Sequence, residues 1–216
     1  MLRSFFCFLG LLLLALSPVA FGTTFHFDTA PFTGVNVGAI PGRQIVGGEQ
    51  FINFRPGVDT LEINSAAFGV GSHLNFINSP VGTLPSMTSG VNVIVLDTFE
   101  NDNNPLTPFG ASQAADLIAS KLTTHGAGFF VYFNQSLNEP RFVYSTDLAS
   151  TDADLQILAR MINLFGDVGR NAMPTITGSD IQITATPEPS SISMLASFLL
   201  AAGSLASVRR LKRSQV

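Results

Sequence analysis

The chain has 216 residues, 46% of them hydrophobic and 12% charged, with a formal net charge of −4. That total hides an uneven split: residues 23–184 hold six basic residues against fourteen acids, while four of the five other basic residues fall within 209–216. A central region this acidic excludes nucleic-acid binding by phosphate neutralisation and suits divalent cations as partners.

The first element is a secretory signal over residues 1–22. Arg3 gives a short positive start, and Phe5 to Leu16 form an apolar run of twelve residues. As a helix that run rises only ~18 Å, too little to cross a ~30 Å hydrocarbon core. Ser17-Pro18 breaks it, and Ala20-Phe21-Gly22 puts small residues at the −3 and −1 positions, so cleavage is expected after Gly22. The only cysteine, Cys7, lies inside this segment, so the exported body has no thiol and no disulfide.

Residues 23–184 make one extracytoplasmic domain, long enough for a core of its own. Runs rich in Val, Ile and Phe predict strands over 44–54, 60–68, 73–78 and 91–99, punctuated by Gly47-Gly48, Pro56-Gly57, Ser79-Pro80 and Ser89-Gly90. Val91 to Leu96 is nearly continuously apolar and reads as a central strand. Ser112 to Leu122 predicts a helix with Ala115, Ile118 and Leu122 on one face. Phe129 to Phe133 and Arg141 to Ser145 predict a hairpin joined by 134–140. Thr151 to Phe165 predicts a second helix, with Thr151 and Asp154 as a cap, Leu155, Leu158, Ile162 and Phe165 as a stripe, and Gly166 as the stop. A last strand runs over 180–184. The expected class is α+β: a mostly antiparallel sheet or sandwich with two helices.

The third element is a tail over 185–216. Pro187-Glu188-Pro189 precedes a membrane-spanning segment, 191–208, whose apolar stretch runs from Ile192 to Val208. Seventeen residues span ~26 Å, enough for a short membrane helix. Arg209, Arg210, Lys212 and Arg213 follow and would stay in the cytoplasm, leaving the body outside. Motif, helix and basic end together resemble the PEP-CTERM sorting signal of exopolysaccharide-producing bacteria. The resemblance covers roughly 186–213 and does not extend to the body. It implies that an exosortase-like membrane enzyme recognises the tail, cuts near Pro187 to Pro189, and delivers the protein to the cell surface or extracellular matrix. Two prolines keep the motif extended, as entry into a protease cleft requires.

Chemistry within the body is harder to find. Asp97, Glu100, Asp102 and Asn104 gather oxygens after the strand at 91–99 and are the candidate calcium ligands. Asx residues also serve ordinary turns, and the EF-hand glycine and twelfth-position glutamate are missing. His26, His73 and His125 are scattered, with no zinc-binding spacing. No nucleophile elbow or phosphate loop is present, and Asp152 and Asp154 are accounted for by a helix N-terminus. Tyr132 and Tyr144, on facing hairpin strands, are the candidate exposed pair for a sugar. The expectation is a non-enzymatic exported protein with no resident cofactor. Its partners would be signal peptidase, the sorting enzyme, the membrane through its tail, and exopolysaccharide. A polysaccharide- or calcium-binding module, and a hydrolase whose residues converge only in three dimensions, are the alternatives.

Overall fold

A computed structural model describes residues 21–37, 41–86, 90–98 and 108–185. The chain divides into two units after Thr184. The first has a strand-rich α+β architecture with two sheets and three short α-helices among the described residues.

The larger sheet has the order β2(Ile45–Val46), β9(Leu155–Met161), β8(Glu139–Ser145), β7(Gly128–Asn134), β6(Val93–Leu96), β5(Phe76–Ser79), and β3(Gln50–Ile52) also pairs with β9. The smaller sheet is β1(Thr24–Phe27), β4(Thr60–Asn64), β10(Ile181–Thr184), with β4 in the middle. Phe27, Leu61, Ile63 and Ile181 of the small sheet share one core with Val93, Val95, Phe129, Val131 and Phe142 of the large one. The other face of the large sheet is closed by α2(Ala111–Ala119), whose Ala114, Ala115 and Ile118 pack with Ile94, Leu96, Phe130 and Tyr132. The large sheet is thus buried on both faces, which is why β6 and β7 are unbroken apolar runs.

The expectation of a mostly antiparallel sheet is corrected. Six of the eight pairings among the described residues are parallel, and only β7 with β8 and β8 with β9 run antiparallel. Parallel neighbours need a crossover of a dozen or more residues. The segments 80–92 and 97–127 supply these crossovers between β5, β6 and β7, the second carrying α2. The predicted hairpin is present, with Phe129 opposite Tyr144 and Tyr132 opposite Arg141.

The helix expected over 151–165 is also corrected: its centre is the strand β9. A bulge between Phe142 and Val143 of β8 sets Phe142 against Ala159 and Val143 against Ile157, so Leu158 of β9 is the extra residue. Consecutive residues therefore turn inward there, which breaks the two-residue alternation and imitates a helical spacing. The rest of the stripe fails, since Ile162 is 44% exposed and Phe165 60%. Asp154 caps no helix; its carboxylate accepts from the Gln44 backbone N–H at 2.8 Å, just before β2. The helices that do form have local signals. Asn64 accepts from the N–H groups of Ala66 and Ala67 to start α1(Ser65–Phe68), and Gly69, at φ 65°, ends it. Gly166, at φ 64°, precedes α3(Asp167–Ala172).

Candidate functional site

The residues that could carry chemistry fall in separate places. Among them, a cleft of about 200 Å³ opens between β1 and β9, lined by His26, Asp28, Thr29, Gln50 and Gln156 over Phe68. β1 carries His26 outward beside Glu62 of β4, the parallel register placing the two opposite each other. The imidazole Nδ1 lies 3.6 Å from the Glu62 carboxylate, an ion-pair distance longer than a hydrogen bond. Gln50 donates to the His26 carbonyl at 3.2 Å, and Gln156 accepts from the Phe32 N–H, so each uses one end of its amide to hold the rim. This arrangement offers hydrogen bonds and one imidazole to a small polar molecule.

The other histidines lie elsewhere and have their own partners. His125, in the loop before β7, has its Nδ1 at 2.6 Å from Asp147 Oδ2. The same carboxylate accepts from the N–H groups of Gly126 and Ala149, which makes Asp147 the organiser of a turn. Burial pushes its carboxyl up, but the bonds from His125, Ala149 and Gly126 outweigh that and hold it below the ordinary carboxylate range. The His73 carbonyl accepts from Asn92 at 2.7 Å. Among the described residues no group of three or more His, Cys, Asp or Glu side chains is arranged to hold a metal.

Of the expected calcium ligands, only Asp97 is described; Glu100, Asp102 and Asn104 lie outside the described residues. Asp97 follows the C-terminal end of β6, its N–H bonded to the Ser79 carbonyl at 3.1 Å. Burial raises its carboxyl above the ordinary value, and its Oδ1 meets no hydrogen-bond partner among the described residues.

Tyr132 and Tyr144 do not form an exposed pair. They are 0% and 5% exposed and belong to opposite faces of the large sheet. Tyr132 accepts from Asn134 at 3.0 Å, and Tyr144 donates to the Phe68 carbonyl at 3.0 Å. Burial raises both phenols, so each stays neutral.

An ion-pair group on the face that carries Tyr132 was not foreseen. Arg141 meets Glu49 at 2.7 Å, Arg160 bonds Glu139, and the Arg160 guanidinium lies 5.1 Å from the Phe51 ring centre. Arg141 and Arg160 face each other across β8 and β9, so each needs its own carboxylate. The predicted hairpin carried part of this signal, because it paired the strands that hold Tyr132 and Arg141; the register that sets the two side by side comes from the structure. The partners Glu49 and Arg160 come from segments whose pairing was not legible.

The expected processing residue, Gly22, is held against the loop before β4. A Cβ built on it would stand 1.8 Å from the Val58 carbonyl oxygen. The next residue, Thr23, donates its N–H to Asp59 Oδ1 at 2.7 Å and accepts from the Thr60 N–H at 2.9 Å. Asp59 is fully buried at its side chain and also takes two bonds from the Arg55 side chain, Nε at 3.0 Å and Nη2 at 2.8 Å. Those Arg55 bonds hold its carboxyl below the ordinary range.

The sorting motif Pro187, Glu188, Pro189 and the basic residues Arg209, Arg210, Lys212 and Arg213 lie outside the described residues, as does the expected membrane segment 191–208. No helix among the described residues is long and apolar enough to cross a membrane. No protein-family model matches the chain, and no significant match is found to a curated protein or a solved structure.

Proposed function

We propose that the chain is an exported, non-enzymatic protein of the bacterial cell surface or extracellular matrix, released from its signal at Gly22 and processed at its C-terminus by an exosortase-like enzyme. One observation carries this reading: a secretory signal and the tripartite tail of Pro187-Glu188-Pro189, apolar segment and basic cluster occur in the same chain, in the orientation that each requires. The tail holds the precursor in the membrane until the enzyme cuts. What remains is an acidic body free of cysteine, with exopolysaccharide as the surrounding material. The non-enzymatic reading is supported by the use to which the polar side chains are put. Asp147 ties a turn, Asp154 ties β2 to β9, and the buried tyrosines hold the core.

Mass spectrometry of the protein from cells with and without the sorting enzyme tests this. Processing predicts loss of the residues beyond about position 189 only where the enzyme is present. Recovery of chains intact through Val216 from cells that have the enzyme refutes it.

The cleft at His26, Asp28, Gln50 and Gln156 favours a second reading, a binding module for a small polar ligand such as a saccharide unit. Chemical shifts of His26 and Gln156 that stay fixed during titration with matrix oligosaccharides would remove it. The calcium variant of this reading rests on Asp97, and an unchanged melting temperature in added calcium would remove that one.

A further inference from the structure

The Asp59 carboxylate accepts hydrogen bonds from two sides, three from Arg55 (its backbone N–H at 2.8 Å and two from its side chain) and one from Thr23. It is fully buried, and Arg55 lies on one side of it with its guanidinium partly open to solvent. On its other side stands the nitrogen of Thr23, the first residue after the expected cleavage point, at 2.7 Å. In the precursor that nitrogen is a neutral amide with one N–H.

We propose that signal cleavage after Gly22 turns this amide into an ammonium that is the second cation on Asp59, so that removal of the signal completes an ion cluster at the start of the body. The idea rests on the signal reading of residues 1–22. Water adds across the Gly22–Thr23 amide; the C–N bond breaks, Gly22 leaves as a carboxylate, and the Thr23 nitrogen becomes an ammonium. The nitrogen need not move, because the Thr23 carbonyl already accepts from Thr60 and fixes the strand start. The amide already donates to an ionised acceptor, and an ammonium in its place adds the attraction of opposite charges to that charge-assisted bond. The charged groups around the site are Arg55 and Asp59 of the loop before β4, and Asp180, whose carboxylate accepts from the Gly57 N–H at 2.6 Å. All three come from elements packed at the foot of the small sheet.

The test uses the full chain, exported through a bacterial secretion pathway and purified. Intact mass and N-terminal sequencing come first. A chain beginning at Thr23 is expected, and one beginning elsewhere overturns the signal reading and this inference together. With a Thr23 start, the α-amine is labelled by reductive methylation at neutral pH in the native and the urea-unfolded protein. Labelling several-fold slower in the native state is expected, and equal rates overturn the cluster while leaving the signal reading intact. Asp59→Asn should abolish most of the protection. If that variant does not fold, a chain with one extra glycine between Gly22 and Thr23 serves instead. It moves the ammonium off Asp59 and should lower the melting temperature by roughly 2–4 °C. An unchanged melting temperature in a chain shown to start with the extra glycine overturns the proposal.

Discussion

The hydroxyl of Tyr144 donates to the carbonyl of Phe68 across 3.0 Å, tying β8 of the large sheet to the last residue of α1. Both groups are buried, so neither can turn to water instead. Tyr144→Phe keeps the ring in its edge contact with Phe68, at 5.1 Å between centroids, and removes only the donor. The expected loss is about 1–3 kcal/mol, the cost of leaving a buried acceptor unpaired. Chemical denaturation of the two proteins measures it.

Leu158 and Phe165 separate the strand from the expected helix. On a helical stripe both would be core residues. Here Leu158→Ala should cost about 2–5 kcal/mol, and Phe165→Ala should stay within about 0.5 kcal/mol of wild type. Equal losses at the two positions would contradict the strand β9.

Three carboxyls, Asp59, Glu49 and Asp147, sit below their ordinary values in the folded protein, each with a cationic or imidazole partner. A lowered folded value means that the unfolded chain binds protons more readily. Their stabilisation is therefore complete above the unfolded carboxylate range, around pH 4, and is lost as the pH falls through the lower folded values. Melting temperature against pH should drop steadily below about pH 4, and Asp59→Asn should flatten part of the drop.

Asp97 has the opposite sign. Burial raises its carboxyl, so its contribution is present below the unfolded value and lost as the pH rises through the folded one. Asp97→Asn should raise the melting temperature at neutral pH, and the gain should fade on acidification. Calorimetry at pH 7 and pH 3.5 checks both arms.

Gly128 opens β7 where a side chain has no room: a Cβ there would lie 2.4 Å from Leu148 Cδ1 and 2.7 Å from the Asn92 carbonyl. Gly128→Ala should destabilise by about 1–3 kcal/mol through overpacking, read from the same denaturation curves.

The hairpin, the central strand β6, the helix α2 and the final strand were legible because each follows a local rule. Phe129 to Phe133 and Arg141 to Ser145 are two runs rich in aromatic and β-branched residues about a short connection, and Ala115 and Ile118 mark one helix face. Strand direction was not legible, since nothing within Ile77 or Val95 says that β5 and β6 run the same way; only the length of the crossover does. β9 misled for two reasons. Leu, Gln, Ala, Arg and Met are all good helix formers, and the bulge at Leu158 hid the alternation. Pairing with β8, β2 and β3 overrode both. Of the candidate sites, the tyrosines were placed on the right strands, but their opposite faces depended on the register. Glu49 beside Arg141 and Thr23 beside Asp59 join residues 92 and 36 positions apart, beyond the reach of any local pattern.

The placing of β4 between the body's first and last strands has a mechanical consequence. β1 and β10 both run parallel to it, with Thr24 beside Thr60 and Ile181 beside Leu61, so chain entry at residue 24 and chain exit at residue 184 lie at opposite ends of that strand. Tension between those two points acts along the strands. It loads the evenly spaced, slanted bonds of both ladders together rather than opening them one at a time. A body pulled by its two ends would resist in shear, the stronger of the two directions in which a sheet can be drawn apart.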